Sequence, residues 1–114
     1  MTVLTDAPTA DAPLGDVVPV PASPVLTVPV RGALDAHTVA RVRETLDQAV
    51  SRRPPQLVVD LTDCPFVDAS ALAVLLETHR RLARSGSVLT LRGCSPRVLR
   101  LLSLTGLRRV FDLA

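Results

Sequence analysis

Aromatic residues are almost absent from this sequence of 114 residues. Phe66 and Phe111 are the only two, and the chain contains no Trp or Tyr. Hydrophobic residues nevertheless make up 47% of the chain, so the core must be built from Val, Leu and Ala. This length and this hydrophobic content predict one globular domain.

Lysine is also absent, and all of the positive side chains are the 13 Arg residues. Residues 1–24 hold three Asp and no Arg, so residues 25–114 combine 13 Arg with eight acidic residues, a net charge of +5. An excess of this size without interleaved aromatic residues is more typical of a solvated basic surface than of a nucleic-acid interface. We therefore expect no nucleic-acid partner.

Long apolar runs are missing as well. No segment approaches the roughly 18 apolar residues that a membrane-spanning helix needs. The N-terminus lacks the basic region and apolar run of a secretory signal. These absences predict a cytoplasmic protein without a membrane partner.

Cysteine is scarce, and Cys64 and Cys94 match no metal-ligand spacing. Each lies beside an apolar strand pattern, which favours small buried side chains in a reducing compartment. A disulfide between the two remains open from the sequence alone.

Catalytic and phosphate-binding motifs are missing too, since neither G-x-x-x-x-G-K-[ST] nor G-x-G-x-x-G occurs. His37 and His79 belong to no catalytic or zinc pattern, and we interpret them as surface or half-buried residues. Asp60, Asp63 and Asp68 surround one loop and in principle offer oxygen ligands to a cation. Turn and helix-cap chemistry explains them more simply. We expect no enzymatic activity, no metal and no cofactor.

The chain divides into two parts by composition. Residues 1–24 are rich in Pro, Ala, Thr and Asp, which predicts a largely disordered tail. A short edge strand within residues 16–24 is an open alternative, because Pro is tolerated at sheet edges. Residues 25–114 are predicted to form the folded domain.

Strand and helix patterns alternate along the folded part. Strands are predicted over 25–31, 57–61, 88–91 and 110–113, and helices over 36–52 and 69–85. A third helix begins after Ser95, its predicted N-cap, has Leu104 on its apolar side and ends at Gly106. Asp35 is the predicted N-cap of the first helix. This order predicts an α/β domain with a mostly parallel sheet of four to five strands and three helices.

The most informative stretch is the loop that leads from the second strand into the second helix. That helix is predicted to begin with Asp68, Ala69 and Ser70. A helix N-terminus carries unpaired N–H groups and a partial positive charge, which suit an anion, a phosphorylated hydroxyl or an acidic partner. From the residues alone, Ser70 is an ordinary first-turn residue with a backbone hydrogen bond.

Three motifs together resemble the STAS domain of bacterial anti-sigma-factor antagonists, which also occurs in sulfate transporter tails. Residues 58–76, V-V-D-L-T-D-C-P-F-V-D-A-S-A-L-A-V-L-L, resemble its central motif. Residues 32–35, G-A-L-D, resemble its G-E-L-D turn, and residues 95–111 resemble its third helix and closing turn. The resemblance covers about residues 25–113 and implies a single STAS-like domain.

The resemblance implies a switchable protein-binding module. Antagonists of this family bind an ATPase-type anti-sigma kinase and so release the sigma factor. The kinase phosphorylates a Ser or Thr that directly follows the Asp of the motif, and the phosphate blocks binding. By this resemblance, partner binding falls to Asp35, Asp68, Ala69, Ser70, Ala71 and Leu72.

The sequence departs from the family pattern at two places. Ala69 occupies the phosphorylated position, so either Ser70 is modified instead or this protein is not switched in the family manner. Many family members continue beyond the equivalent of Phe111, so we expect the last helix to be missing and a homodimer to be possible through the exposed flank. The alternative function is a ligand-sensing STAS domain that binds a nucleotide or a lipid at the same helix N-terminus.

Overall fold

The computed structural model describes residues 25–114. The strands are β1 (Val25–Pro29), β2 (Gln56–Asp60), β3 (Val88–Arg92) and β4 (Asp112–Leu113), and the helices are α1 (Val39–Ser51), α2 (Ala69–Arg84) and α3 (Pro96–Leu104). Within these residues the four strands form one parallel sheet in the order β1-β2-β3-β4. The predicted α/β class, the parallel sheet and the three helices are therefore confirmed. The predicted tail and its possible edge strand lie outside the described residues.

The core is aliphatic, as the composition predicts. Alternate strand residues point to one face of the sheet, and on β2 and β3 these are Leu57, Val59, Leu89 and Leu91, each at most 1% exposed. The helices cover this face with a row of buried side chains that includes Leu46, Leu75, Leu82, Val98 and Leu102. Phe111 is the one aromatic side chain buried in the described core.

The prediction that Asp35 caps a helix beginning at residue 36 is wrong. α1 begins at Val39, and Thr38 is its N-cap residue. The Asp35 carboxylate accepts hydrogen bonds from the N–H groups of His37 at 2.9 Å and Thr38 at 3.2 Å. These bonds close a separate turn before the helix, since an Asp side chain mimics a backbone turn as readily as it caps a helix.

The start of α3 follows the prediction and Gly106 follows its C-cap residue Thr105, whereas the predicted position of Leu104 is wrong. The Ser95 hydroxyl accepts a hydrogen bond from the N–H of Val98 at 3.2 Å, and Pro96 is the first helical residue. Leu104, predicted on the apolar side, is 74% exposed. It lies two residues after the buried Leu102, which places the two side chains on opposite sides of the helix.

The last strand is shorter than predicted. The N–H groups of Val110 and Phe111 both donate to the carbonyl oxygen of Leu107, at 3.0 and 3.4 Å. This turn delays pairing with β3 until Asp112.

Candidate functional site

Two loops that follow neighbouring strands are joined side by side. The N–H of Leu34 donates to the Phe66 carbonyl at 2.8 Å, and the N–H of Asp68 donates to the Leu34 carbonyl at 3.1 Å. Leu34 and Val67 pair as an isolated parallel bridge. The Asp35 turn and the start of α2 therefore lie next to each other, as expected for loops at the carboxyl ends of adjacent parallel strands.

The Asp68 carboxylate links these loops to α2. One oxygen accepts hydrogen bonds from the Ala71 N–H at 3.0 Å and from the Ser70 hydroxyl at 2.6 Å. The other oxygen accepts from the Ala36 N–H at 3.2 Å, across the loop boundary. The Ser70 hydroxyl, the Ala71 N–H and the Ala36 N–H lower the pKa of Asp68 below its usual range. Asp68 is therefore a fixed negative charge at the positive end of α2.

Ala69 and Ser70 are both exposed in the first turn of α2. Ser70 lies in the first turn of α2, as expected, but its hydroxyl donates to the Asp68 carboxylate and not to a backbone carbonyl. A carboxylate is a stronger acceptor than a backbone carbonyl, which explains the difference. At Ala69, the position where the STAS resemblance implies a hydroxyl, only a methyl group faces solvent.

Ala71 and Leu72 differ from the other residues predicted to bind a partner. Their side chains are 1% and 3% exposed and belong to the core. They hold the first turn of α2 against the sheet and leave the partly or fully exposed residues Asp35, Asp68 and Ser70 at the surface.

The remaining acidic residues of the loop do not build a metal site. The Asp60 carboxylate accepts hydrogen bonds from the Thr62 hydroxyl at 2.6 Å and the Thr62 N–H at 3.0 Å, and it pairs with Arg92 at 3.0 Å. These contacts lower the pKa of Asp60 to about 2. Within residues 25–114, no three His, Cys, Asp or Glu side chains are grouped closely enough to hold a metal ion.

Comparison with known proteins identifies the family. The STAS domain family matches residues 18–114. This chain belongs to the STAS domain family. An anti-sigma F factor antagonist of Paenibacillus polymyxa is 33% identical over 90 residues, which are 78% of this chain and 77% of the relative.

Solved STAS structures agree with the fold. An anti-sigma factor antagonist from Mycobacterium paratuberculosis is 29% identical, with a TM-score of 0.71 over 78% of this chain and 75% of that one. A putative anti-sigma factor antagonist from Thermotoga maritima has a TM-score of 0.75 over 81% of this chain and 80% of that one. At 20% identity, the second likeness shows the fold alone.

A groove beside the start of α2 in this STAS domain was missed by sequence reasoning. The Arg97 guanidinium lies over the Phe66 ring, 5.1 Å from its centroid. Together they border a cavity of about 220 Å³, here called the flanking groove, which is lined by Phe66, Val67, Arg97, Arg100, Leu101 and Leu104. The one available signal was Phe66 itself, an aromatic residue in a chain that has only two.

The two cysteines and the two histidines differ in burial and in their contacts. Both cysteines are free; Cys64 is buried, and Cys94 is half-buried. Burial raises the pKa of both thiols. His79 packs edge-on against Phe111, with ring centroids 5.8 Å apart, and His37 is exposed, as predicted.

None of the helices within residues 25–114 has the length and apolar character that crossing a bilayer requires. The cytoplasmic location stays a prediction.

Proposed function

We propose that this protein binds an anti-sigma factor of the ATPase kinase type and thereby releases a sigma factor for transcription. It acts as a binding protein and not as an enzyme. The observation that carries the proposal is the hydrogen-bonded junction at Asp68, which joins the Asp35 turn and the first turn of α2 into one surface. The similarity to an anti-sigma F factor antagonist supports the choice of partner.

The α2-start surface consists of Asp35, Ala36, Asp68, Ala69 and Ser70. Its alanines and serine are small and exposed, so the backbone of a partner can approach closely. Its two carboxylates are already held by hydrogen bonds within the chain. A surface ordered in this way loses little conformational freedom when a partner binds.

The same surface supports binding without control by phosphorylation. Ala69 has no hydroxyl to modify. The Ser70 hydroxyl lies 2.6 Å from an Asp68 carboxylate oxygen, and a phosphate adds a charge of about −2. Modification of Ser70 would replace a hydrogen bond by repulsion between like charges. We therefore propose that the protein stays competent to bind in the presence of its partner kinase and ATP.

The position of the interface is tested with two exposed alanines of α2. Ala73→Arg adds bulk and charge one helical turn after Ala69, whereas the control Ala83→Arg makes the same change near the other end of the helix. Binding to the purified anti-sigma kinase of the same organism is measured by calorimetry. We expect Ala73→Arg to weaken binding at least about tenfold, roughly 1.4 kcal/mol, and Ala83→Arg to leave it unchanged. Equal affinity for both variants and the wild type would place the interface elsewhere.

The absence of a switch is tested by incubation with the same kinase and ATP. The wild type should remain largely unmodified and bound. Ala69→Ser supplies the missing hydroxyl, and its phosphorylated form should dissociate because charge is added within the contact. Stoichiometric modification of the wild type at Ser70, seen by mass spectrometry and abolished by Ser70→Ala, would show that the switch exists with its serine moved by one residue.

The nucleotide or lipid ligand has weaker support at this place. A phosphate at the start of α2 would meet the ionised Asp68 carboxylate, which already occupies the N-terminal N–H of Ala71. A rise in melting temperature with ATP, GTP or lipid in the absence of a partner would favour that alternative. The homodimer also stays a prediction.

A further inference from the structure

The surface around α3 carries an unneutralised positive charge. Residues 86–111 contain five Arg and no acidic residue. Arg92 pairs with Asp60 at 3.0 Å, whereas the other four form no ion pair with any residue in 25–114. These four are Arg97, Arg100, Arg108 and Arg109. Their charge is available to a partner.

The flanking groove combines part of this charge with exposed apolar surface. Phe66 is 36% exposed and Leu104 is 74% exposed, so two large apolar side chains that line the same cavity are open to solvent. The stacking of Arg97 on Phe66 holds the guanidinium beside the exposed ring in the lining of the groove. Arg100, on the same helix, lines the groove with it. The lining of the site thus combines apolar and basic side chains.

We propose that the flanking groove docks an acidic amphipathic segment of a partner protein. Apolar side chains of that segment fill the space between Phe66 and Leu104, and its carboxylates pair with Arg97 and Arg100. Arginine suits this role because its planar guanidinium binds a carboxylate through two parallel hydrogen bonds. A concave site fits an inserted helix or peptide better than it fits a flat membrane surface.

The groove lies beside the α2-start surface, because its lining residues Phe66 and Val67 directly precede Asp68 in the chain. A partner that covers the start of α2 can therefore reach the groove with an adjoining segment. The inference goes beyond the proposed function and does not depend on it, since the positive charge that it uses, on Arg97 and Arg100, belongs to α3.

The test uses the full chain and two designed probes. The acidic probe is a fluorescent helical peptide with Leu at every third or fourth position and Glu between, and the basic probe has Lys in place of Glu. Binding is followed by fluorescence anisotropy and by backbone amide shifts. We expect the acidic probe alone to bind and to shift the amides of Phe66, Arg97 and Leu101.

Variants then separate charge recognition from general attraction. Arg97→Glu and Arg100→Glu should each weaken binding of the acidic probe about tenfold, and Leu104→Ala should weaken it without loss of stability. Arg41→Glu, the same charge change on an exposed residue of α1, is the control and should have no such effect. Equal effects of all three charge reversals, or no binding of the acidic probe to the wild type, would overturn the inference.

Other occupants give distinct results. Binding to phosphatidylserine vesicles without binding to the acidic probe would identify a membrane surface and refute the proposal. Probe binding that appears only after Asp6, Asp11 and Asp16 are changed to Asn would show that the chain's own N-terminal segment fills the groove. Amide shifts of the same groove residues on dilution, without probe, would assign it to a second copy of the chain.

Discussion

The boundary between α1 and α2 contains ion pairs, whereas the surface of α3 contains none within the described residues. Between α1 and α2, Arg43 pairs with Glu77 at 2.7 Å and Arg81 pairs with Asp47 at 2.5 Å. The arginines of α3 have no acidic neighbour of this kind within residues 25–114. Exposed ion pairs add only about 0–1 kcal/mol each to stability. The difference therefore matters less for folding than for the surfaces that a partner can recognise.

The two helices also begin differently. The side chain of Asp68, the cap of α2, accepts hydrogen bonds from its own helix and from Ala36 in the loop after β1. The side chain of Ser95, the cap of α3, accepts a hydrogen bond from Val98 of its own helix. The first arrangement couples the start of α2 to a second loop. The second is a local cap next to an apolar and basic groove. Three paired substitutions examine whether these differences extend to stability.

The largest effect is expected from the buried leucines. Leu82 in α2 and Leu102 in α3 are 1% and 0% exposed, so Leu82→Ala and Leu102→Ala should each cost about 2–5 kcal/mol in the free energy of unfolding. Similar losses in urea titrations would show that α3 belongs to the same cooperative core as α2. A loss below about 1 kcal/mol for Leu102→Ala alone would mean that α3 is loosely attached and that the flanking groove is not preformed.

A smaller loss of stability is expected from substitutions of the two glycines that flank β3, and it should differ between them. Gly86 follows α2 and Gly93 precedes α3, and both have positive φ, at +76° and +74°. An Ala in this conformation costs about 1–2 kcal/mol at either position. A Cβ at Gly86 meets nothing within 4 Å, whereas a Cβ at Gly93 approaches the Thr62 Cα to 2.9 Å and also clashes with the Thr62 hydroxyl. Gly93→Ala should therefore lower the melting temperature clearly more than Gly86→Ala, and equal shifts would contradict this packing.

Local chemistry made most of the fold predictable. Strand and helix periods located all seven described elements, and Ser95 with Pro96 marked the start of α3 correctly. The start of α1 was misplaced because an Asp that forms a turn and an Asp that caps a helix have the same sequence signature. Only the hydrogen bonds of Asp35 distinguish the two.

The candidate site was also predictable in part, here from the order of the strands. The chain order of β1 and β2 places the Asp35 and Asp68 loops at one edge of the sheet, and the structure joins them. The burial of Leu72 follows from its helical spacing with Leu75, which is also buried. The flanking groove could not be predicted, because it depends on the packing that brings Arg97 over Phe66, a contact between distant parts of the chain.

The smallest effect distinguishes the two caps by their response to pH. Ser95→Ala removes a neutral hydroxyl acceptor and should cost about 1 kcal/mol at any pH. Asp68→Ala removes a carboxylate whose pKa in the folded protein is lowered, chiefly by the Ser70 hydroxyl. A lowered folded pKa gives stability that is fully present above the ordinary Asp value of 3.8 and is lost as the pH falls through the folded value.

The cost of Asp68→Ala should therefore be larger at pH 7 than at pH 3, whereas the cost of Ser95→Ala should be the same at both. Urea unfolding of the two variants and the wild type at each pH measures this difference. Ser70→Ala in the wild-type background should reduce the change in the free energy of unfolding between the two pH values. It removes the largest contribution to the lowered pKa of Asp68. If the cost of Asp68→Ala does not change between the two pH values, the carboxylate charge does not stabilise the start of α2, and the fixed negative charge assigned to this surface is wrong.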